Sequence, residues 1–428
     1  MSRRVAETEE YLREYFENAA TQAAAIELQR FVAAGTYSLT WKLQYRIGDG
    51  SQWGPVRMRD VLVKTQKPAV QERVVTPGAE FSSDGIPANE FSSTDSLANE
   101  KGFLYAMRSA EHFVKLVTFP ELPRDPLLQA PQYERESIAP DWIYLEWIEN
   151  GTLWELIRKA GETGVEFFPN RLLWRFFMCL IRMCIGMAWP PDPLAGQGQL
   201  NPSQPRLEQV LNAAPSGIVH GDIHNGNVMI GPIDRPTSDY EHHITPRLKM
   251  IDGGAVSISE EERDNVHQDP ATTENLFAIG MIMATLSTLD EDLGGKMYPE
   301  RPDPVMFTDV RPFATAATEL LPPQGPNPGQ RDRRYHIAHQ WLDPDLLQAI
   351  VHCLAVNPHD RPFLAGLASG VQNVIQTRDD NFYEGFYERN NINVSSYIET
   401  DDYITEFMQQ LIMDPAIPNH NAHPRRVL

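Results

Sequence analysis

The segment Ile218-Val-His-Gly-Asp-Ile-His-Asn-Gly-Asn-Val-Met-Ile230 constrains this chain more than any other. Two short β-type runs, one at each end, enclose a loop from His220 to Asn227 rich in Gly, Asn and Asp, which suits neither a strand nor a helix. A further β-type run, Leu248-Lys-Met-Ile251, stops at Asp252-Gly253-Gly254. If these runs are neighbouring strands, Asp222, Asn227 and Asp252 converge where the strands end. Their oxygens are acceptors suited to Mg2+ and to the proton of a hydroxyl group.

Charge narrows the partners. With 37 Lys+Arg against 58 Asp+Glu, the net charge is -21. Such a surface repels a phosphate backbone, so nucleic acid and anionic membrane are both disfavoured, although one small anion held in a local pocket is not. The three cysteines, Cys179, Cys184 and Cys353, form neither a disulfide framework nor a CxxC zinc pair. A reducing compartment, cytoplasmic or nuclear, is expected. Met1-Ser2-Arg3-Arg4 leads into a mixed polar pattern with no apolar signal core, so secretion is not expected. The most apolar helical segment, Leu172 to Trp189, carries Arg171, Arg175 and Arg182 within about 40° of one another at 100° per residue. One narrow polar stripe on an apolar helix predicts a buried helix touching the surface, not a bilayer span.

Patterning along the 428 residues changes character about a third of the way in. A polar helix is expected over 5–28, alternating β-rich stretches over 29–46 and 56–65, and a helix over 96–110. Short strands are expected at 113–119 and 142–148, and mainly helix from 152. The run 67–93, with its near-repeat EFSSDGIPANEFSSTD, is too polar to pack and reads as an exposed insertion. Stretches 190–217 and 322–332, rich in Pro, Gly and Gln, read as surface insertions. A β-rich first third and a helical remainder suggest an α+β chain of two lobes with a cleft between them.

HGDIHNGN resembles the catalytic loop HRDLxxxN of protein kinases, and more closely the HGDxHxxN form of aminoglycoside phosphotransferases and related kinases. IDGG stands where that superfamily has its metal-binding DFG. The first third offers the complementary half. Val61-Leu-Val-Lys64 ends a β-type run, and Leu97, Leu104 and Met107 define an inward helical stripe that also holds Glu100. A carboxylate on an apolar stripe is costly unless paired, and Lys64 is the natural partner. NEKGFLYAM…HFVKLVTF is similar to the kinase αC helix and following strand, with Glu100 at the ion-pairing position. The glycine-rich phosphate loop of the family would fall on Ala33 to Thr40. Gly35 is its one retained glycine and Tyr37 the aromatic at its tip, with Ser38 beside it. Thr40 and Leu62 would alter the adenine pocket. Trp142 to Leu153 is similar to the family's hinge, which implies adenine contacts from the Glu146 carbonyl and the Ile148 amide, with Met229 against the nucleotide. Glu274 to Leu289 is apolar nearly all round and must be a central buried helix, with Thr272 or Thr273 as N-cap. It resembles the kinase αF segment, with Asn275 at the aspartate position. Asp343-Pro344 caps a later helix, and LAVNPHDRPFLAGL resembles the ending of a protein-kinase C-lobe, with Arg361 as its buried arginine.

Departures from the family pattern are specific. Gly221 replaces the arginine that receives a phosphorylated activation loop. Gly253 replaces the DFG phenylalanine, which either loosens the coupling between lobes or leaves a gap for another side chain. Only 23 residues separate Asp252 from Asn275, with no APE motif, and Glu260 to Glu262 in this stretch are candidate partners for Arg361. His224 stands at the catalytic-loop lysine position, either as a γ-phosphate donor or as a stabiliser of its own loop. His242-His243 and His336/His339 lack further ligands at metal-site spacing and read as solvated loop histidines. Residues 91–96 read as an exposed linker, and 403–412 as an amphipathic helix docked on the body.

The resemblance covers roughly residues 29–376 and implies a bilobal protein-kinase-like fold. That organisation is an N-terminal helical extension (1–28), an N-lobe (29–148) with an insertion at 67–93, a C-lobe (149–376) and a tail (377–428). The C-lobe would carry insertions near 190–217, 231–247 and 290–335. It further implies ATP- and Mg2+-dependent phosphoryl transfer to a hydroxyl-bearing substrate. Lys64, positioned by Glu100, would hold the α/β-phosphates, Asn227 and Asp252 the metal, and Asp222 the acceptor proton. A divergent Ser/Thr-type protein kinase is the leading expectation. A small-molecule kinase of the aminoglycoside or choline kinase type and a pseudokinase scaffold are the alternatives. Six acidic residues against one arginine within 255–274 point to a basic partner if the acceptor is a protein.

Overall fold

The computed structural model describes residues 3–17, 26–34, 38–47, 57–66, 93–117, 142–191, 205–232, 240–259, 269–293, 304–305, 313–321 and 339–413. Gly35, Tyr37, His336, the polar run 67–92 and Glu260 to Glu262 lie outside the described residues. The chain divides into two units: residues 1–108, 114–147 and 253–255, and residues 109–113, 148–252 and 256–428. Their elements give an α+β arrangement.

In the first unit, strands β1 (Ile26–Ala34), β2 (Ser38–Ile47), β3 (Arg57–Gln66) and β4 (Trp142–Glu146) form an antiparallel sheet in that order. Alternation explains its two faces. Leu39, Trp41 and Leu43 of β2 and Val61 and Val63 of β3 point to one side. There they meet Val5, Leu12 and Phe16 of helix α1 (Arg3–Glu17), whose spacing lays them along one stripe. Thr40, Lys64 and Ile143 form one cross-strand row on the other side, where β3 meets helix α2 (Ser93–Ala106).

The second unit is built on two long helices, α4 (Asn170–Ala188) and α5 (Pro270–Thr288), preceded by α3 (Leu153–Thr163). Thr152 and Glu155 close a capping box at the start of α3. Every residue of α4 is buried. Helices α6 (Pro344–Cys353) and α7 (Leu364–Thr377) pack against α5 and α4 respectively. Two short ribbons hold the polar loop: β5 (Ile218–Val219) pairs with β8 (Ser257–Ile258), and β6 (Val228–Ile230) with β7 (Leu248–Met250). Among the described residues, no helix is long and apolar enough to cross a membrane.

Several local expectations are corrected. The first helix ends at Glu17, and by Ile26 the chain is already a strand, because Ile26 and Leu28 alternate with polar residues and pair with Tyr45 and Leu43. The β-rich stretch 29–46 holds the two arms of an antiparallel pair, β1 and β2. No strand forms over the described part of 113–119. Phe113 bridges Met250, while Leu116 bridges Leu145 with Lys115 and Val117 bonded to Glu146 and Tyr144, and each pairing stays an isolated bridge. The N-cap of α5 is Asp269, which accepts from the Thr272 N–H, with Pro270 opening the helix.

The arginine stripe of α4 is not wet. Arg171, Arg175 and Arg182 are all buried. Arg182 pairs with Glu241 at 2.5 Å, and Arg171 pairs with Asp401 at 2.6 Å. A buried guanidinium needs such partners, and here they come from far along the chain. The stretches expected as surface insertions also contribute core. Glu208, Glu241, His242 and Thr315 are buried, with Leu293 and Leu320 beside them in the same class. Arg361 is half-buried rather than buried. It donates to the Thr273 and Ala355 carbonyls and stacks over Phe277 at 4.7 Å.

The segment 380–408 is integral to this unit. Helix α4 begins after Pro169, which supplies no side-chain cap. Glu399, 229 residues away, caps it instead, accepting from the backbone N–H groups of Asn170 and Arg171 at 2.9 Å each. Tyr387, on helix α8 (Asp380–Arg389), adds a 2.6 Å hydroxyl bond to the same carboxylate. A carboxylate at a helix N-terminus complements the exposed N–H groups and the helix dipole. Helix α9 (Asp401–Met408) follows and buries Ile404, Phe407 and Met408.

Candidate functional site

The first unit supplies a cation. Strand β3 carries Lys64 in the middle of the sheet, between Thr40 and Ile143. Its side chain reaches Glu100 on α2, with Nζ 2.9 Å from Oε1 and 2.7 Å from Oε2. Lys64 is 7% exposed and Glu100 only 1%. Leu97, Leu104 and Met107 are buried as the helical stripe requires, so Glu100 has no route to solvent from that face. A lysine held by a buried carboxylate keeps its charge and a fixed direction.

Phe103, one turn along α2, meets the tripeptide Gly253–Ala255. A Cβ on Gly253 would fall inside the van der Waals envelope of the Phe103 ring. The space left by the absent side chain at 253 is therefore taken by an aromatic from the helix. Sequence reasoning raised a filled gap without finding its occupant.

The second unit supplies the carboxylates. Antiparallel pairing sets Val228 opposite Met250, and the Ile251 N–H donates to the Asn227 carbonyl at 3.0 Å. Asn227 and Asp252 therefore leave the same end of one two-stranded ribbon, as the strand pattern predicts. The Asn227 amide nitrogen donates to the backbone oxygen of Asp222 at 2.9 Å and to its Oδ2 at 3.0 Å. Its amide oxygen takes no part in these two bonds. Asp252 holds a left-handed backbone at φ 63°, costly for a residue with a Cβ. Gly221 sits at φ 75°, which explains glycine there in terms of the backbone alone.

The loop is clamped from below. Asn275 of α5 accepts from the His220 N–H at 3.1 Å and donates to the Ile218 carbonyl at 2.8 Å. Burial pushes the fully buried His220 imidazole down to about 4, against the pull of Asp252 and Asp222, so it is neutral at pH 7. The His224 Nδ1 accepts from the Gly226 N–H at 3.0 Å, which puts its neutral-state proton on Nε2. That atom lies 3.6 Å from Asp222 Oδ1. Asp222 and His224 are both half-open to solvent, at 52% and 55% side-chain exposure.

Beside Asp222 the second unit contains a cavity of about 820 Å³ between the polar loop and α5, lined by His224, Glu274, Phe277, Met281 and Glu291 among others. Its apolar floor and acidic rim were not anticipated, because α5 alone reads as an all-round buried helix. Of the expected nucleotide contacts, Ser38 opens β2 and is half-buried, and Met229 lies on β6 bridged to Thr152. Glu146 closes β4 with its N–H on the Lys115 carbonyl at 2.9 Å, and Ile148 is buried just after it. No protein-family model and no curated protein matches this chain.

Proposed function

We propose that this chain is an ATP- and Mg2+-dependent phosphotransferase with a bilobal protein-kinase-like fold, transferring a phosphoryl group to a hydroxyl acceptor. The observation that carries the reading is the Lys64–Glu100 pair, buried and 2.7 Å apart across 36 residues of sequence. A buried ion pair contributes little net stability compared with apolar residues of similar volume. A directed lysine is, however, what a site for the α/β-phosphates requires.

The donor set suits the ions. Asn227 and Asp252 offer hard oxygens appropriate to Mg2+, and the strained Asp252 backbone is the kind of outlier found where a ligand must be met. When bound, magnesium and nucleotide supply charge neutralisation and the transferable phosphoryl group. Lys64 then fixes the phosphates, with Glu100 fixing Lys64. Asp222, oriented by the Asn227 amide, accepts the hydroxyl proton of the acceptor. His224 presents an N–H toward the same region, while its other nitrogen stabilises the loop, so the two roles expected of it are compatible.

For the acceptor, a protein hydroxyl remains the general reading, and the cavity favours a second one. Its volume of about 820 Å³ beside Asp222 lies in the range of small-molecule sites. Glu274 and Glu291 at its edge favour a cationic acceptor of either kind.

The test is Asp222→Asn, assayed by ADP release with a basic protein mixture and, separately, a panel of hydroxylated amines. Turnover should fall on the order of 10²–10⁴-fold while ATP affinity holds. Full activity in the variant contradicts the assignment.

A further inference from the structure

His242, expected as a solvated loop histidine, is 2% exposed and belongs to a cluster that the phosphotransfer reading does not use. Its Nε2 lies 3.1 Å from His112 Nε2 and 3.3 Å from Cys179 Sγ, and the three donor atoms all lie within 4.8 Å of one another. The donors come from three places in the second unit: the segment 109–113, the middle of α4, and the segment 240–245. We propose that His112, Cys179 and His242 bind a divalent transition-metal ion, zinc by ligand preference, with Glu208 as the group that orients His112.

Distances support a shared ion. Tetrahedral zinc with bonds of about 2.0–2.1 Å to nitrogen and about 2.3 Å to sulfur separates two nitrogens by about 3.3 Å, and nitrogen from sulfur by about 3.6 Å. The two separations from His242, 3.1 Å to nitrogen and 3.3 Å to sulfur, are within a few tenths of an ångström of these values.

Orientation supports it independently. Glu208 Oε2 lies 2.7 Å from His112 Nδ1, and its Oε1 accepts from the His112 N–H at 2.8 Å. A carboxylate accepts, so Nδ1 carries the proton and the neutral ring turns its Nε2 lone pair toward the cluster. This carboxylate–histidine arrangement is how metal-binding imidazoles are positioned. Gly186 of α4 makes room for it, since a Cβ there would collide with Phe113 and crowd Glu208.

Binding converts the Cys179 thiol to thiolate and releases its proton. One sulfur and two imidazoles select a zinc-like ion over Mg2+, so this site is chemically distinct from the oxygens of Asn227 and Asp252.

Burial of all three donors makes the ion a staple between segments rather than a reaction centre. It acts on the loop through backbone: the Met250 N–H donates to the His112 carbonyl at 2.8 Å, and Met250 precedes Asp252 by two residues.

The full chain, purified without chelator, should contain about one zinc per molecule by elemental analysis. Cobalt exchanged into it should give the near-ultraviolet thiolate charge-transfer band together with visible d–d bands. Cys179→Ser should abolish the charge-transfer band, whereas Cys353→Ser should keep it. Sub-stoichiometric metal together with a featureless cobalt spectrum in the unmutated chain would overturn the proposal. The cluster would then be a hydrogen-bonded core in which the His242 N–H donates to His112. Because the decisive spectrum needs no variant, a folding failure of Cys179→Ser leaves the test intact.

Discussion

At the scale of single residues, Phe103 and Gly253 share one volume. The ring lies where a side chain at 253 would have to go, so glycine there is a packing requirement. Gly253→Ala should destabilise the chain by about 1–3 kcal/mol through overpacking. In a Phe103→Ala background the same change should cost less, with a coupling of about 0.5–3 kcal/mol in a denaturant double-mutant cycle. Equal costs in both backgrounds contradict the shared volume. Residues like these also mark what a sequence reveals. The placement of Asp222, Asn227 and Asp252 around one strand end was legible because a contiguous polar loop and a strand end carry them. Glu100 was legible because a carboxylate on an apolar stripe demands a partner. Phe103 gave no signal, since a phenylalanine in a helix reads as ordinary core. His242 was misread because its partners lie 63 and 130 positions away.

At the scale of elements, α5 governs the polar loop and the segment around Glu399 governs the start of α4. Asn275 fixes both the Ile218 carbonyl and the His220 N–H, while His220 itself is buried and neutral. A pH dependence follows with a definite sign. The imidazole titrates near 6.5 in the unfolded chain and near 4 in the folded one, so below pH 6.5 the unfolded chain takes up a proton that the folded one refuses. Stability is full above that range and is lost as pH falls toward 4. Between pH 7 and 5 the loss from this group is about 2 kcal/mol. Urea midpoints at the two pH values measure it, and His220→Gln should flatten the difference; an unchanged slope in the variant assigns it elsewhere. The helices and main strands were readable from periodicity. The cap on α4 was not, because Pro169 offers no capping side chain and Glu399 comes from a segment that composition marks only as a tail. The strand expected at 113–119 failed for a related reason: Phe113 and Leu116 each make one isolated bridge, to Met250 and to Leu145, and that choice of partners is not written in the local sequence.

At the scale of the whole molecule, one unit holds a directed lysine and the other holds Asn227, Asp252 and the solvent-open carboxylate of Asp222, the groups that the proposed phosphoryl transfer would use. The net charge of -21 gains a local meaning, since Glu274 and Glu291 lie at the cavity beside Asp222, where on the proposed reading they would favour a cationic acceptor. The two-part α+β organisation was visible in the change from alternating to helical patterning, whereas packed residues in supposed insertions were hidden by their polar flanks. The central claim, that the chain binds ATP with magnesium, is tested most directly by thermal unfolding of the full chain titrated with ATP and Mg2+. Binding to the folded state should stabilise it by about 2.7 kcal/mol when ligand reaches 100 times its dissociation constant. The melting temperature should climb with concentration, and much less so when Mg2+ is omitted. A melting temperature that stays fixed at saturating ATP and Mg2+ contradicts the account.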